Sequence, residues 1–313
     1  PLFYSTSFGG AYWVWIAILI AFVIQAVSYE YRSKPNNFFG RRFYETLLFL
    51  NGLLGTVLIG TAVATFFTGS DFIVNKQNIT DLTGMQMPVI SQWTGPAYGL
   101  EAALNVQNLT LGLTVFFLAR VLALLYFMNR LNHDTMLARI RKHLLYNAIP
   151  FVVFFLVFAV WLILSPGFAV DPVTKTVSME PFKYLHNLLG MPVVAILFVL
   201  GAAMVLLGII RPLIYFAKCG EKGIWATGIG TVLVVFSLFL LAGFHHTAYY
   251  PSTRDLQSSL TLENSCSSRY TLVAMSYVSL LVPFVLAYIW YAWRSIDRKK
   301  IDVGEIHNEP HVY

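Results

Sequence analysis

The third long apolar segment of the sequence contains the residues whose types and spacing best fit proton or water transfer inside a membrane. Glu101, Asn105, Asn108 and Gly112 are separated by four, three and four residues, so a continuous helix would place them on one face. Arg120 lies about a quarter turn away and deeper toward the cytoplasm. Ionisable residues inside a span are costly and usually face a bundle interior or a watery cavity. One hypothesis is therefore a proton or water path along this face.

A structural interpretation of the same residues competes with this hypothesis. Glu101 would lie at the outer headgroup level, and Asn105 and Asn108 would bond neighbouring helices. Arg120 would extend its guanidinium toward the inner headgroups. Because Glu101 is close to the start of the helix, the structural interpretation is favoured.

A second polar group lies where the first span reaches the cytoplasm, in the segment Tyr29-Glu30-Tyr31-Arg32-Ser33-Lys34. One acid, Glu30, beside the bases Arg32 and Lys34 could collect protons at an inner mouth. The alternative is a solvated charge cluster at the lipid headgroups, and the spacing alone favours that alternative.

The histidines and cysteines form no recognisable ligand set in the sequence. His245 and His246 are adjacent, so they point in different directions on a helix, and His186 has neither a cysteine nor a carboxylate at ligand spacing. We therefore expect interfacial histidines, no haem or metal ligand and no catalytic residue. Cys219 and Cys266 lie in loops on opposite sides of the predicted membrane domain, so no disulfide is expected.

Membrane helices must position all of these residues. The chain has 313 residues, of which 57% are hydrophobic and 12% charged, against about 25% charged in soluble domains. The apolar residues form blocks of about 20, long enough to span a bilayer. These blocks lack strand-type alternation, and a span that is not part of a closed barrel must be helical. The sequence predicts an all-α, polytopic transmembrane bundle that forms one domain over residues 1–313.

The predicted spans and the positions of the basic residues give a topology. Spans are predicted at residues 11–28, 47–67, 100–128, 148–164, 191–210, 224–244 and 270–293. Lys and Arg accumulate in cytoplasmic loops. They are concentrated after the first, third, fifth and seventh spans: Arg32, Lys34, Arg41 and Arg42; Arg130, Arg139, Arg141 and Lys142; Arg211, Lys218 and Lys222; Arg294, Arg298, Lys299 and Lys300. Residue 1 should therefore be outside and Tyr313 in the cytoplasm, and the net charge of +6 lies beside the membrane rather than indicating a nucleic-acid partner.

Two groups of motifs, one at each end of the chain, resemble a known family. Near the start these are Pro1-Leu2-Phe3-Tyr4-Ser5-Thr6-Ser7-Phe8-Gly9-Gly10-Ala11-Tyr12 and Ala26-Val27-Ser28-Tyr29-Glu30-Tyr31-Arg32-Ser33-Lys34. Near the end these are Tyr250-Pro251-Ser252-Thr253, Ser259-Leu260-Thr261, Asn264-Ser265, Ser267-Ser268 and Thr271-Leu272, followed by Val282-Pro283 and Tyr288. The chain resembles subunit II of the cytochrome bd quinol oxidases. That family has nine helices, so we expect this chain, which begins without Met, to lack the first two; Gln25 stands where many members have arginine.

The resemblance implies a role for the chain. It implies a two-subunit oxidase of the bacterial inner membrane that oxidises a membrane quinol and reduces dioxygen to water. Haem d and two b-type haems would lie on subunit I, and subunit II would stabilise that partner among the membrane lipids. A structural quinone in subunit II and a small accessory subunit are left open. Glu30 and Arg32 match the positions of the family at the cytoplasmic mouth.

Two other classes of membrane protein remain as alternatives at this point. A seven-helix receptor or light-driven pump fits the span count, but the last span has no Lys that could form a retinal Schiff base. A secondary transporter would fit the polar face of the third span, but the sequence lacks the repeated halves typical of such proteins.

Overall fold

The computed structural model describes residues 2–34, 37–75, 90–214 and 223–296. The predictions on Pro1, Lys218, Cys219, Lys222, Arg298, Lys299, Lys300 and Tyr313 lie outside these residues. In chain order the elements are α1 (Leu2–Gly10), α2 (Tyr12–Tyr31), α3 (Arg41–Thr68), β1 (Phe72–Val74), β2 (Ser91–Trp93), α4 (Glu101–Leu104), α5 (Val106–Arg130), α6 (Asp134–Leu164), β3 (Gly167–Val170), β4 (Val177–Glu180), α7 (Lys183–Gly190), α8 (Pro192–Ile214), α9 (Gly223–Gly243), α10 (Arg269–Ser279) and α11 (Val282–Ile296).

Among the described residues, seven helical segments are long and apolar enough to cross a membrane. They are α2, α3, α5, α6, α8, α9 and the segment Arg269–Ile296, which contains α10 and α11. The predicted all-α, polytopic bundle with seven spans is therefore confirmed. Several helices are longer than the predicted spans: α3 begins at Arg41 rather than residue 47, and α6 at Asp134 rather than residue 148. Hydropathy marks only the part of a helix that is apolar, whereas charged residues continue the same backbone into water.

The prediction of one continuous helix over residues 100–128 is wrong. The backbone is extended at Asn105, with ψ 123°, and separates the short helix α4 from α5. The Asn105 side chain accepts hydrogen bonds from the backbone N–H groups of Gln107 and Asn108, as a helix N-cap does. Asparagine competes for backbone donors in this way, and hydropathy does not detect that competition.

The last span is interrupted as well. α10 ends at Ser279 and α11 begins at Val282, so the predicted helix over residues 270–293 consists of two segments. Pro283 explains the break, because proline has no backbone N–H and its ring crowds the carbonyl four residues earlier.

Glycines determine where the spans cross. A Cβ atom on Gly60 of α3 would lie 2.6 Å from the Cα of Gly112 on α5, and one on Gly112 would lie 2.8 Å from the Val57 carbonyl oxygen. Helices α8 and α9 approach in the same way, since a Cβ atom on Gly201 would lie 2.9 Å from the Gly230 carbonyl oxygen. Helices in lipid associate through close packing rather than through the hydrophobic effect, so these contacts hold the bundle together.

The loops after α3, α6 and α9 gather at one end of the bundle. The Ser70 N–H donates to the Pro251 carbonyl at 3.0 Å, and the Ala248 N–H donates to the Phe168 carbonyl at 3.0 Å. The Trp93 indole donates to the Thr6 carbonyl at 2.8 Å, which brings α1 to the same end. Alternate loops therefore share one end, as the predicted topology requires.

The last span packs differently from the other six. None of its residues is buried within the described part of the chain. Two contacts attach it near its end: Arg130 Nη2 donates to the Ile296 carbonyl at 2.9 Å, and the rings of Tyr126 and Trp293 are 6.0 Å apart. α10 and α11 thus present most of their surface away from this chain.

Candidate functional site

Glu101 stabilises a turn rather than facing the bundle interior. Its Oε1 accepts the Ala97 N–H at 2.6 Å and its Oε2 accepts the Gly99 N–H at 2.8 Å. A Cβ atom on Gly95 would lie 2.6 Å from Oε1, so the chain folds closely around the carboxylate. The half-buried carboxylate satisfies backbone donors that would otherwise be left without partners before α4.

Asn108 joins three helices. It is 2% exposed. Its Oδ1 accepts the Thr68 hydroxyl of α3 at 2.8 Å, and its Nδ2 donates to the Ala102 carbonyl of α4 at 3.1 Å. A fully buried amide with both ends satisfied stabilises one arrangement of these helices.

Arg120 is directed toward α6 and away from the other polar residues of the third span. Its Nε donates to Asn147 Oδ1 at 2.7 Å, and Asn147 Nδ2 donates to the His143 carbonyl at 2.7 Å. Arg120 lies twelve residues after Asn108, or about 18 Å along α5. The prediction that Glu101, Asn105, Asn108 and Gly112 share one face of a continuous helix is wrong in its geometry, because the extended backbone at Asn105 separates α4 from α5. Whether any of these residues takes part in proton transfer stays a prediction.

Glu30 and Arg32 lie at the end of α2, where the sequence places them. Glu30 forms an ion pair with Lys34 at 2.9 Å, and both side chains are more than half exposed. The Arg32 guanidinium lies 5.5 Å from the centre of the Tyr29 ring. An exposed ion pair between residues four apart on a helix contributes little to stability. The pair with Lys34 therefore does not explain why an acidic residue stands at position 30.

A charge cluster that the sequence did not predict lies at the end of the bundle that holds α7. Glu180 Oε1 is 2.7 Å from His186 Nδ1, and Glu180 Oε2 is 3.1 Å from Lys183 Nζ. The hydrogen bond with His186, and then the bond and charge of Lys183, hold the pKa of Glu180 below its ordinary value. The left-handed backbone at Phe182, with φ 53°, turns the chain from β4 into α7. Neither strand nor helix spacing predicts such a pairing, which explains why His186 was expected to have no carboxylate partner.

The described residues contain no group of three or more His, Cys, Asp or Glu side chains that could hold a metal ion. His245 and His246 are exposed at the loop after α9, with ring centres 6.0 Å apart and left-handed backbone at both. They border an open pocket of about 400 Å³ together with Lys175 and Glu263, which form an ion pair at 2.8 Å. Exposed histidines in an open pocket do not fit the enclosed surroundings of a haem.

An apolar cavity of about 270 Å³ lies between α1, α2 and α3. Aromatic rings form much of its wall, among them Phe3, Trp15 and Phe66. Ser7 also borders the cavity; its hydroxyl is buried and has no hydrogen-bond partner. A cavity with apolar walls and one free hydroxyl has the chemistry of a site for a flat, carbonyl-bearing apolar ligand.

The fold and these side chains define a multi-pass helical membrane protein whose buried polar residues connect helices and loops. The chain belongs to the cytochrome bd terminal oxidase subunit II family, whose model matches residues 1–296. The resemblance of the terminal motifs is thereby confirmed. Membership implies a multi-pass protein of the inner membrane within a quinol oxidase complex, an oxidoreductase in which subunit I is the partner.

Individual relatives agree with the family match. The chain is 25% identical over 312 residues to cytochrome bd-I ubiquinol oxidase subunit 2 of Escherichia coli (strain K12), covering 95% of this chain and 76% of that protein. It is 24% identical over 330 residues to the probable cytochrome oxidase subunit 2 of Haemophilus influenzae, covering 99% and 79%. It is 25% identical over 325 residues to cytochrome bd ubiquinol oxidase subunit 2 of Bacillus subtilis, covering 100% and 79%. These comparisons favour the oxidase over the receptor and transporter alternatives.

Replacing Asn108 with leucine tests the structural interpretation of the third span. The change removes the side-chain donor of the Ala102 carbonyl and leaves the Thr68 hydroxyl with only the Ala64 carbonyl at 3.3 Å, so we expect a loss of about 1–3 kcal/mol in the free energy of unfolding. The thermal midpoint of the purified complex should fall, while oxygen consumption per intact complex stays unchanged. Asn105→Ser, which keeps an N-cap side chain, is the control and should have little effect. An unchanged midpoint with a loss of turnover would instead support a proton path.

Proposed function

We propose that this chain is the haem-free subunit of a quinol:oxygen oxidoreductase and that it stabilises the haem-bearing subunit I. The exposed last span is the observation that carries this proposal. A transmembrane helix with no buried residue in the described part of its chain presents a surface for another protein.

The exposed surface of the last span has a pattern that suits docking. Tyr270, Tyr277, Phe284 and Tyr291 recur every seven residues and are 68–84% exposed. Tyr270 and Tyr277 therefore lie on one side of α10, and Phe284 and Tyr291 lie on one side of α11. Aromatic side chains dominate the energetics of interfaces, and tyrosine adds a hydroxyl that can bond a partner. This aromatic stripe, residues 270, 277, 284 and 291 with Tyr288 beside it, is proposed as the surface that receives subunit I.

The haems are assigned to the partner. Haem d and two b-type haems need axial ligands such as His, Met or Cys in an enclosed apolar setting. The described histidines are instead exposed, as His143 on α6 and His245 and His246 after α9 are, or bonded to neighbours such as Glu180. The exposure and bonding of the described histidines therefore support the assignment of the haem ligands to subunit I.

Co-purification tests the proposal directly. The chain, isolated from native membranes through an affinity tag, should bring subunit I with it and show the absorption band of haem d. A stable, haem-free chain recovered alone would contradict the proposal. Any small accessory subunit would appear as a further band in the same preparation.

We also propose a structural quinone in the cavity between α1, α2 and α3. The Ser7 hydroxyl can donate to a quinone carbonyl, and Phe3 and Trp15 can enclose the ring. Quinone should then remain in organic extracts of the detergent-washed complex and should be absent from Ala62→Phe, which fills the cavity. Equal quinone content in both preparations would contradict this site.

The orientation is proposed from the basic residues, with residue 1 outside and the C-terminus in the cytoplasm. Cys266 is a free, exposed thiol in the loop before α10. A membrane-impermeant maleimide should label Cys266 in intact cells, and the label should be lost in Cys266→Ser. Labelling only after the cells are broken would reverse the topology.

Replacing Glu30 with glutamine tests a proton entrance at the cytoplasmic mouth. If Glu30 collects protons, Glu30→Gln should slow quinol-dependent oxygen consumption by about tenfold or more, in the range typical of proton-transfer groups. Haem content should stay intact, because the side chain is exposed and the Lys34 pair contributes little to stability. Glu45→Gln is a matched control, since Glu45 also forms an exposed ion pair, with Arg41 at 2.8 Å. Equal turnover in both variants would remove Glu30 from the proton route.

A further inference from the structure

Basic side chains line one side of α6 at the end where this helix begins. Arg139, Lys142, His143 and Tyr146 are separated by three, one and three residues, so each lies three or four residues from another member and they share that side of the helix. All four side chains are exposed. The Lys142 ammonium lies 5.9 Å from the centre of the Tyr146 ring.

Arg120 of α5 extends this basic surface deeper into the membrane. The Arg120 Nε donates to the side chain of Asn147, which is only 6% exposed and fixes the arginine. The Arg120 guanidinium lies 5.6 Å from the centre of the Phe116 ring. A guanidinium carries five N–H donors. Within the described residues only its Nε makes a hydrogen bond, so the terminal nitrogens remain able to bind an anion.

The depth of Arg120 makes an anionic partner necessary. Arg120 lies ten residues before the end of α5 at Arg130, or about 15 Å along the helix. Residues 121–128, which follow Arg120 on α5, are apolar apart from Tyr126, so this exposed charge is separated from the polar end of α5 by an apolar stretch about 12 Å long. A charge at that depth is costly unless it is paired. Among the described residues, no acidic side chain forms an ion pair with Arg120, Arg139 or Lys142.

The same side of α6 becomes apolar farther along. Ile149, Val153 and Val157 continue the side that carries Arg139, Lys142 and Tyr146, and each is exposed. Asn147 lies one turn beyond His143, so the Arg120 side chain is anchored about 6 Å deeper than the basic surface. An arginine side chain can extend over such a distance toward the headgroups.

We propose that this surface, Arg120, Arg139, Lys142 and Tyr146 with Ile149, Val153 and Val157, binds one anionic phospholipid. The bases and the tyrosine hydroxyl hold the phosphate, and the acyl chains lie along the three aliphatic residues. Along α6 the bases come first and the aliphatic side chains follow, in the same order as the phosphate and the acyl chains of a phospholipid. An acidic side chain of a protein partner would account for Arg120 but not for the bases on the headgroup side or the aliphatic side chains beyond them.

Lipid retention by the purified complex tests this site. The complex is washed in detergent, mixed with dioleoyl phosphatidylglycerol or dioleoyl phosphatidylcholine, and bound lipid is measured by native mass spectrometry. Phosphatidylglycerol should bind more tightly to the unaltered complex. Arg139→Gln and Lys142→Gln should each weaken that binding about fivefold, because each basic residue near the headgroups contributes a similar attraction. Arg120→Gln should weaken it further, and Arg120→Lys should restore part of the loss.

The controls separate the lipid from other occupants. Arg41→Gln and Arg42→Gln remove bases at the start of α3 and should leave phosphatidylglycerol binding unchanged. The Lys142 side chain is exposed, so Lys142→Gln should fold and still tests lipid binding if Arg120→Gln fails to fold. Equal binding of the two lipids, equal competition by inorganic phosphate, or unchanged binding in Lys142→Gln would each overturn the proposal. Loss of subunit I from Arg120→Gln with lipid binding intact would identify a partner acid instead.

Discussion

Replacing Phe284, Tyr288 and Tyr291 together with alanine is expected to abolish recovery of subunit I with this chain. These three side chains are among the most exposed of the last span, at 68–74%. Each has the character of an interface hot spot, whose loss costs about 2 kcal/mol or more. Loss of all three should weaken association more than about 100-fold, so a tagged chain should be purified without the haem d band.

The matched control removes apolar volume from another exposed helix face. Val193, Ile196 and Leu200 of α8 lie at intervals of three and four residues and are 50–68% exposed. Changing these three to alanine should leave subunit I and the haem d band in place, because that face is expected to meet lipid. If the aromatic variant keeps subunit I while the α8 variant loses it, the docking surface has been placed on the wrong helix.

Gly60→Ala is expected to disrupt the crossing of α3 and α5. The new methyl group would lie 2.6 Å from the Gly112 Cα. The nearest atoms of α5 all belong to its backbone, so they cannot rotate away as a side chain can. Overpacking of this kind costs about 1–3 kcal/mol, and the strain should appear as a lower thermal midpoint and a lower yield of intact complex.

Gly52→Ala is the control on the same helix. A Cβ atom at Gly52 meets nothing within 4 Å. Alanine is the better helix former by about 1 kcal/mol, so this variant should be neutral or slightly stabilised. Equal midpoints for Gly60→Ala and Gly52→Ala would show that α3 and α5 do not approach as closely as the structure indicates.

The helix interruptions show how far sequence patterns could predict the fold. Seven spans were predictable because each apolar block must hydrogen-bond its own backbone in lipid. The ends were not, since the charged start of α6 at Asp134 continues the helix without adding hydropathy. The break at Asn105 depends on one side chain competing for the N–H groups of Gln107 and Asn108, and hydropathy does not report that competition.

The polar residues of the third span show how much of the candidate site the sequence could predict. Spacing placed Glu101 and Asn108 on one face, with Arg120 about a quarter turn away, because it assumed an unbroken helix. The carboxylate instead holds backbone N–H groups, the amide joins α3 and α4 to α5, and the guanidinium bonds Asn147. The basic side of α6 was visible in the sequence only as loop charge, because residues 139–146 were expected outside any helix.

The last span also shows what each source of information determined. Its length and apolarity made it a membrane helix in the sequence, and the motifs around Pro251 and Pro283 pointed to the oxidase family. Only the tertiary structure shows that no residue of this helix is buried among the described parts of the chain, while α3 and α5 meet at Gly60 and Gly112. The reason is physical. Hydropathy determines that a segment enters the membrane, but the neighbour it packs against depends on which small side chains let two backbones approach.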